Sequence, residues 1–472
     1  MVDTIERVNA QPVKRFFIDI ITRDIDLAAA ILDLVDNSVD SARTKNPDGD
    51  LSGVTVEVVA QGREFSIVDN CAGMDVDHAK DYVFRMGRPT DASGTSGSIG
   101  QFGVGLKRSL FKLGTNFIVN SAASNSDFTV ELDVDAWEDE PDWDFDILVH
   151  DREPHEATGT TIIVNNLHDS VEEAFAEVRG PEGQRPFSEL LRDELMSRHR
   201  IAMGNGMTLR LNGDRLTAGT SEVADSELIS AAVTEFTIST PDGEPVRVKI
   251  VAGAAPQLSG MDEDAQPEEV EFPAAEAGWE VFGNGRLLLS AEKTRITGWG
   301  SGKARLPLFH NQYARFRGFV YMEAADSSAI PWNTMKTGVD SGSPVWAEVR
   351  EAMIVAGREI ITLLNHAKSE RQAGKEGDEA PISTALNSAA TVVVEQPSST
   401  VVYSISIGEL RADNVVHARY PEPNPNLRSG VKTVTYAVDL DAFQMVSRAL
   451  KEKAAARVGR ATFNVFLDDI DK

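Results

Sequence analysis

Residues 31–42 read Ile31-Leu32-Asp33-Leu34-Val35-Asp36-Asn37-Ser38-Val39-Asp40-Ser41-Ala42. Asp33, Asn37 and Asp40 fall at i, i+4 and i+7, which on an α-helix aligns them in one stripe. Leu27, Ile31, Leu34, Val35 and Val39 cover much of the remaining surface, as on a helix pressed into a core. A buried helix that keeps an Asp-Asn-Asp stripe must aim it at something polar, and a metal-bound nucleotide would satisfy it. Asp36 lies about 60° round the helix from Asp33 and reads as a solvated helix charge with a weaker claim to chemistry.

Three further segments follow in order. In Ile67-Val68-Asp69-Asn70-Cys71-Ala72-Gly73-Met74 an apolar strand, Phe65 to Val68, runs into an Asp and a turn. An Asp at a strand end can accept a hydrogen bond from an exocyclic amine, and a Gly close behind lets backbone approach a flat ring. In Gly97-Ser98-Ile99-Gly100-Gln101-Phe102-Gly103-Val104-Gly105-Leu106-Lys107, glycines precede an apolar helix-like run through Leu110 and Phe111. Amides at such a loop–helix junction hold anions, and Lys107 adds a point charge for a phosphate. Residues 87–100, rich in Gly, Ser and Thr, are expected to form a mobile lid. The fourth segment, Gly159-Thr160-Thr161-Ile162-Ile163-Val164, is a β-branched strand whose Thr160 hydroxyl can support Asp69 through a water.

Singly these signals are weak. The glycine spacing is not the dinucleotide fingerprint, and no G-K-[ST] closes it as a Walker loop. Asp69 alone would more often be a turn former. Four segments in one order, each on a fitting element, are hard to obtain by accident.

Taken together, Asp33…Asn37…Asp40, Asp69…Gly73-Met74, Gly100…Gly105-Leu106-Lys107 and Gly159-Thr160 resemble the GHKL ATPases over roughly residues 25–165. That superfamily unites DNA gyrase, the ninety-kilodalton heat-shock chaperone, the sensor histidine kinases and MutL. The run Ile99 to Lys107 is similar to the chaperone and to MORC proteins, and Lys107 with Asp36-Asn37-Ser38 leans toward MORC. The resemblance implies an α/β class of fold: an α+β two-layer sandwich (the Bergerat nucleotide-binding fold), then an α/β transducer-type domain and a small C-terminal α/β module. It implies ATP with Mg2+ as ligands. Asn37 would bind the magnesium, Asp69 the adenine amino group, with Gly73 and Met74 beside the ring and Thr160 behind it. Asp40, Gly100, Gly103, Val104, Gly105 and Lys107 would border the phosphates and the lid base. Where the ATP-hydrolysing members carry a catalytic Glu, this chain has Asp33, one methylene shorter. A displacement of about 1 Å can cost on the order of a hundredfold in positioning a water, so slow turnover is expected. Cys71 stands where the family usually has Gly, and a positive φ there would be strained.

Beyond the pocket the chain turns to short strands, with hairpin-type turns at Asn212-Gly213 and Asn284-Gly285. In the gyrase, MutL and MORC branch a transducer lysine reaches the γ-phosphate; Lys336, in a loop after a strand, is the candidate, an ordinary exposed lysine being the alternative. The expected layout is an ATP-binding domain with an N-terminal strap (1–180), a transducer-like domain (181–345), a helix (346–372), a linker (373–400) and a C-terminal module (401–472). Phe16, Phe17 and Ile18 would belong to a strap crossing the partner of a nucleotide-dependent homodimer. The last module ends in a basic helix (Arg448, Lys451, Lys453, Arg457, Arg460) that reads as a solvated face or as a contact with DNA or an acidic protein.

Net charge of −28 argues against a surface that broadly coats nucleic acid. One cysteine excludes an internal disulfide and fits a reducing cytoplasm. No apolar run is long enough for a membrane span. The expected activity is that of an ATP-operated switch with slow hydrolysis, in DNA handling or prokaryotic defence. The alternatives are a nucleotide-sensing scaffold without turnover and a protein kinase of the same superfamily. Against the kinase, no helix pair with a phosphoacceptor His precedes the motif.

Overall fold

A computed structural model describes residues 12–85, 97–100, 103–151, 157–176, 185–240, 244–257, 272–302, 305–333, 335–373, 380–397, 404–407, 417–423, 438–450, 454–455, 457–459 and 461–463. Two helices come first, α1 (Lys14–Arg23) and α2 (Leu27–Lys45). The Asp26 carboxylate caps α2 by accepting from the Ala29 amide at 2.7 Å, and Arg43 and Lys45 lie in the last turn, where the helix dipole favours cations. Next are β1 (Thr55–Gln61), β2 (Glu64–Asp69) and α3 (Val76–His78), which runs into a π-helical turn, Ala79–Val83. After them stand α4 (Gly105–Leu113), β3 (Gly114–Ala122), β4 (Asp127–Asp133), α5 (Val134–Asp139), β5 (Leu148–His150) and β6 (Gly159–Leu167). The layer closes with α6 (Asp169–Ala176), α7 (Phe187–Arg198), α8 (Arg200–Gly204), β7 (Thr208–Leu211) and β8 (Asp214–Arg215).

These strands form one eight-stranded sheet in the order β5-β4-β3-β6-β2-β1-β7-β8. Its pairings are antiparallel except β1 with β7. Alternation along the strands buries Val56, Val58, Phe65, Ile67, Phe117, Val119, Ile162 and Val164. Helices α2 and α4 pack on each other and on this sheet, so an α layer covers a β layer. The layer runs past the expected boundary at 180, because β7 returns through α6, α7 and α8 to pair in parallel beside β1.

A second layer is built from β9 (Glu222–Asp225), β10 (Ala232–Ser239), β11 (Pro245–Ala254), β12 (Gly278–Gly283), β13 (Arg286–Glu292) and β14 (Phe316–Ala324). Long helix α9 (Pro344–Ala373) lies against β10, β11 and β14. Trp279, Trp299, Phe316 and Trp346 are fully buried in this half. The stretch expected as a linker contains α10 (Pro381–Ser388) and β15 (Ala390–Val393), the latter paired with β9. The start of α10 is satisfied from a distance: the Glu370 carboxylate of α9 accepts from the amides of Ile382 at 3.1 Å and Ser383 at 2.8 Å. A local reading finds no cap there.

Strand β16 (Ser404–Ser406) pairs in parallel with β10 at the edge of a six-stranded sheet ordered β13-β12-β14-β11-β10-β16. It therefore belongs to the second layer, not to a separate terminal module. Residues 425–472 form a compact unit of their own that holds α11 (Leu440–Leu450), none of whose residues is buried. The strand expected at 431–438 falls almost wholly outside the described residues, as do Lys451, Lys453 and Arg460. So do residues 1–11 of the expected strap and most of the expected lid. Among the described residues no helix is long and apolar enough to cross a membrane.

Candidate active site

A cavity of about 420 Å³ opens between α2, the ends of β2 and β6, the π-helical turn and the start of α4. That size suits a small-molecule ligand. Every residue proposed from sequence lies on its wall: Asp33, Asn37, Asp40, Asp69, Gly73, Met74, Gly100, Gly103, Val104, Gly105, Lys107, Thr160 and Lys336. Their individual contacts divide the wall into two ends.

One end is made by neighbouring strands. In the sheet register Asp69 of β2 faces Thr160 of β6, and Thr160 faces Ser121 of β3. The Asp69 carboxylate accepts from the Cys71 amide at 3.0 Å, the Thr160 amide at 3.1 Å and the Ser38 hydroxyl at 2.8 Å. Burial pushes its pKa up, against the pull of those three donors. The Thr160 hydroxyl pairs with Ser121 at 3.0 Å, and Ser121 accepts from the Met74 amide at 2.9 Å. Gly73 has φ +71°, and a Cβ there would lie 2.0 Å from the Ala122 carbonyl oxygen, so only glycine lets this turn close on β3. Cys71 is buried and is not among the positive-φ residues, so the left-handed position of the turn is Gly73, not the site of the Cys-for-Gly change. Ser121 gave no signal in the sequence, and Ser38 was read only as part of the first motif, with no contact to Asp69 expected.

The other end is ionic. The Asp33 carboxylate is held on one oxygen by the Arg108 guanidinium and on the other by the Lys336 ammonium at 3.5 Å. Asp36, three residues on, is completely buried rather than solvated. It takes Arg286, Lys336 at 3.2 Å and His199 Nε2 at 3.1 Å. Burial opposes its charge, but Arg286, Lys336 and His199 together hold its carboxyl well below the usual range. Burial also lowers the pKa of His199, against Asp36. The expectation for Asp36 missed because α7 and the second sheet cover a helix flank that a sequence pattern leaves open. His199 and Arg286, isolated in the sequence, gave no signal.

Lys336 is buried and sits at φ +52°, a left-handed conformation uncommon for a lysine. The loop from Trp332 to Val339 holds it there, with the Lys336 amide donating to the Asn333 carbonyl at 3.0 Å. Lys107 is placed differently from the expectation of a phosphate contact. Its ammonium donates to the carbonyls of Val83 and Arg85, both at 2.6 Å, and to that of Gly103. One side chain thus pins the π-helical turn to the residue before Val104, and burial lowers its pKa to about 8.

Asp40 also acts on backbone. Its carboxylate accepts from the amides of Ile99, at 2.7 Å to one oxygen and 2.9 Å to the other, and Gly100, at 2.9 Å. Burial raises its pKa, against Arg43 and those amides. The segment Asp40 grips is held from the second layer too. Asn284, in the β12–β13 turn, donates to the Ser98 carbonyl at 3.0 Å, and the Gly97 amide donates to the Ala325 carbonyl at 2.9 Å. Asn37 differs from its neighbours: its side chain is exposed in the cavity and has no hydrogen-bond partner among the described residues. Its free amide oxygen suits a hard cation that keeps most of its waters and takes its other ligands from phosphate. Among the described residues no group of three or more His, Cys, Asp or Glu is placed to enclose a metal.

Residues 25–161 match the family described as histidine kinase-, DNA gyrase B- and HSP90-like ATPase. The chain therefore carries a GHKL-type ATPase domain over this segment, an ATP-binding and hydrolysing class, followed by further β-sheet structure. The match spans Asp33 through Thr160 and stops before His199, Arg286 and Lys336. No curated protein matches the chain.

Proposed function

We propose that this protein is an ATP-operated conformational switch that hydrolyses ATP slowly and dimerises through its N-terminal region when ATP binds. The carrying observation is that Lys336, from a loop beyond the second sheet, reaches Asp33 and Asp36 beneath the pocket. A nucleotide phosphate competing for that lysine would change how the second layer engages the first. Asn284 and Ala325 add a direct hold of the second layer on residues 97–98. This is the role of a transducer in the gyrase, MutL and MORC branch.

On this reading Asp69 takes the adenine amino group, and amides at the start of α4 take phosphate. Asn37 would hold magnesium, which supplies charge neutralisation to the phosphates. Asp33 would orient the attacking water. Its short side chain, and the two cations already on its oxygens, both slow that step. Phe16, Phe17 and Ile18, expected in a strap, lie in α1, where Phe17 packs edge-on to Trp143 of its own chain at 5.4 Å; Phe16 and Ile20 stay exposed one turn apart and would be the α1 residues available to a second copy.

Calorimetric titration with Mg–ATP, alongside light scattering and phosphate release, tests the proposal. Binding, a rise in mass and slow release are expected. Binding with unchanged mass and shape overturns the switch. Binding with a mass change but no release leaves a nucleotide-sensing scaffold, the reading favoured by an Asp33 whose oxygens are both engaged. No heat from folded protein overturns nucleotide binding itself.

A further inference from the structure

Helix α4 begins with an electrostatic anomaly. Lys107 and Arg108 both lie in its first turn, at the end where the helix dipole repels cations, and both are buried. Each must therefore be compensated, and the two are compensated differently. Lys107 has one carbonyl for each of its three N–H donors, which exhausts it. Arg108 has five donors and, among the described residues, uses few of them. It meets one oxygen of Asp33 and, through Nη1, the Met335 sulfur at 3.7 Å. Its Nε is buried without a hydrogen-bond partner among the described residues, although Arg108 as a whole is only 8% exposed and lines the cavity. Gly105, the first residue of α4, abuts the same carboxylate: a Cβ there would stand 3.6 Å from Asp33 Oδ2. Helix amides, an under-used guanidinium and Asp33 thus converge at one end of the cavity.

We propose that Arg108, not Lys107, is the α4 side chain that binds the terminal phosphate of the nucleotide, and that Asp33 competes with that phosphate for it. The inference rests on the nucleotide-binding reading above. A guanidinium fork matches phosphate oxygens better than an ammonium does and keeps its charge at any working pH. Transfer of Arg108 from Asp33 to phosphate also strips a cation from the carboxylate that must orient water, so one exchange both senses the terminal phosphate and releases the base. Because Arg108 touches Met335, next to Lys336, the exchange also disturbs the loop that enters from the second layer.

The test is calorimetry with Mg–ATP and Mg–ADP on the full chain. Wild type is expected to prefer ATP. Arg108→Gln should weaken ATP by roughly tenfold or more and ADP far less, so the preference collapses. Asp33→Asn should do the reverse, tightening ATP several-fold by removing the competitor, an effect that a purely structural ion pair would not give. The double variant Asp33→Asn/Arg108→Gln removes both charges of the buried pair and avoids leaving one unpaired. It should bind ATP no better than ADP, even if Arg108→Gln alone fails to fold. A preference for ATP in the double variant equal to that in Asp33→Asn overturns the proposal. Wild type that binds neither nucleotide overturns the nucleotide reading instead, which keeps the two failures apart.

Discussion

The two ends of the cavity are held by opposite kinds of force. At the Asp69 end, neighbouring strands supply Asp69, Thr160 and Ser121 through ladder register, with hydrogen bonds to backbone and hydroxyl groups. At the Asp33 end, Asp33 and Asp36 of α2 meet Arg108 of α4, His199 at the α7–α8 junction, Arg286 of β13 and Lys336 of its loop, and no two of these partners share a local element. A strand register is fixed by the whole sheet and moves little. An ionic cluster with two aspartates and several cations has more than one satisfactory pairing. The first end is fixed by sheet register, and the second can respond to a change of charge.

The contrast can be broken most decisively at Asp36. Asp36→Asn leaves Arg286 and Lys336 buried against a neutral group and should cost about 3–5 kcal/mol in denaturant unfolding. A loss below about 1 kcal/mol would mean that the cluster is solvated and that the two ends are alike. At the other end, Asp69→Asn should weaken ATP, ADP and AMP together, each by about 2–3 kcal/mol, roughly thirty- to a hundred-and-fortyfold, as calorimetry would read. An effect confined to ATP would assign Asp69 to the phosphates and erase the division.

Smaller effects sharpen it. Asn284→Gly keeps the left-handed backbone but removes the amide that donates to the Ser98 carbonyl. Loss of about 1 kcal/mol there should speed amide exchange at Ile99 and Gly100 roughly fivefold or more. Unchanged exchange would show that Asp40 and the Gly97–Ala325 hydrogen bond hold the segment without Asn284. The last effect is one of pH. Asp36 has a native pKa below its ordinary 3.8. Below about pH 4 the unfolded chain therefore binds a proton that the native protein does not. Its stabilisation is complete above that pH and is lost as pH falls, so the stability gap between wild type and Asp36→Asn should narrow by about 1 kcal/mol at pH 3. A gap constant from pH 3 to 7 would contradict the ionic account.

Particular residues show why the sequence spoke clearly for one end and not the other. Asp69 and Thr160 sit at strand ends whose apolar alternation marks them, Gly73 sits in the turn that follows β2, and the family match covers all three. The place of Lys336 on the cavity wall was legible only through resemblance to a branch of the superfamily, because nothing local distinguishes it from an exposed lysine. Lys107 was assigned the right element and a different contact, since a sequence cannot say whether a cation turns to the cavity or to the carbonyls behind it. Arg108, its neighbour, was passed over for the same reason.

The amino-acid sequence by itself determined the helix stripe Asp33-Asn37-Asp40, the strand that delivers Asp69 and the glycine-marked start of α4, because each follows from side-chain periodicity and backbone freedom within a few residues. Only the tertiary structure decided which cation meets which carboxylate. Those pairings join residues as far apart as Asp33 and Lys336. They depend on the direction of long side chains in a low-dielectric interior, where burial and charge settle together what no local pattern encodes.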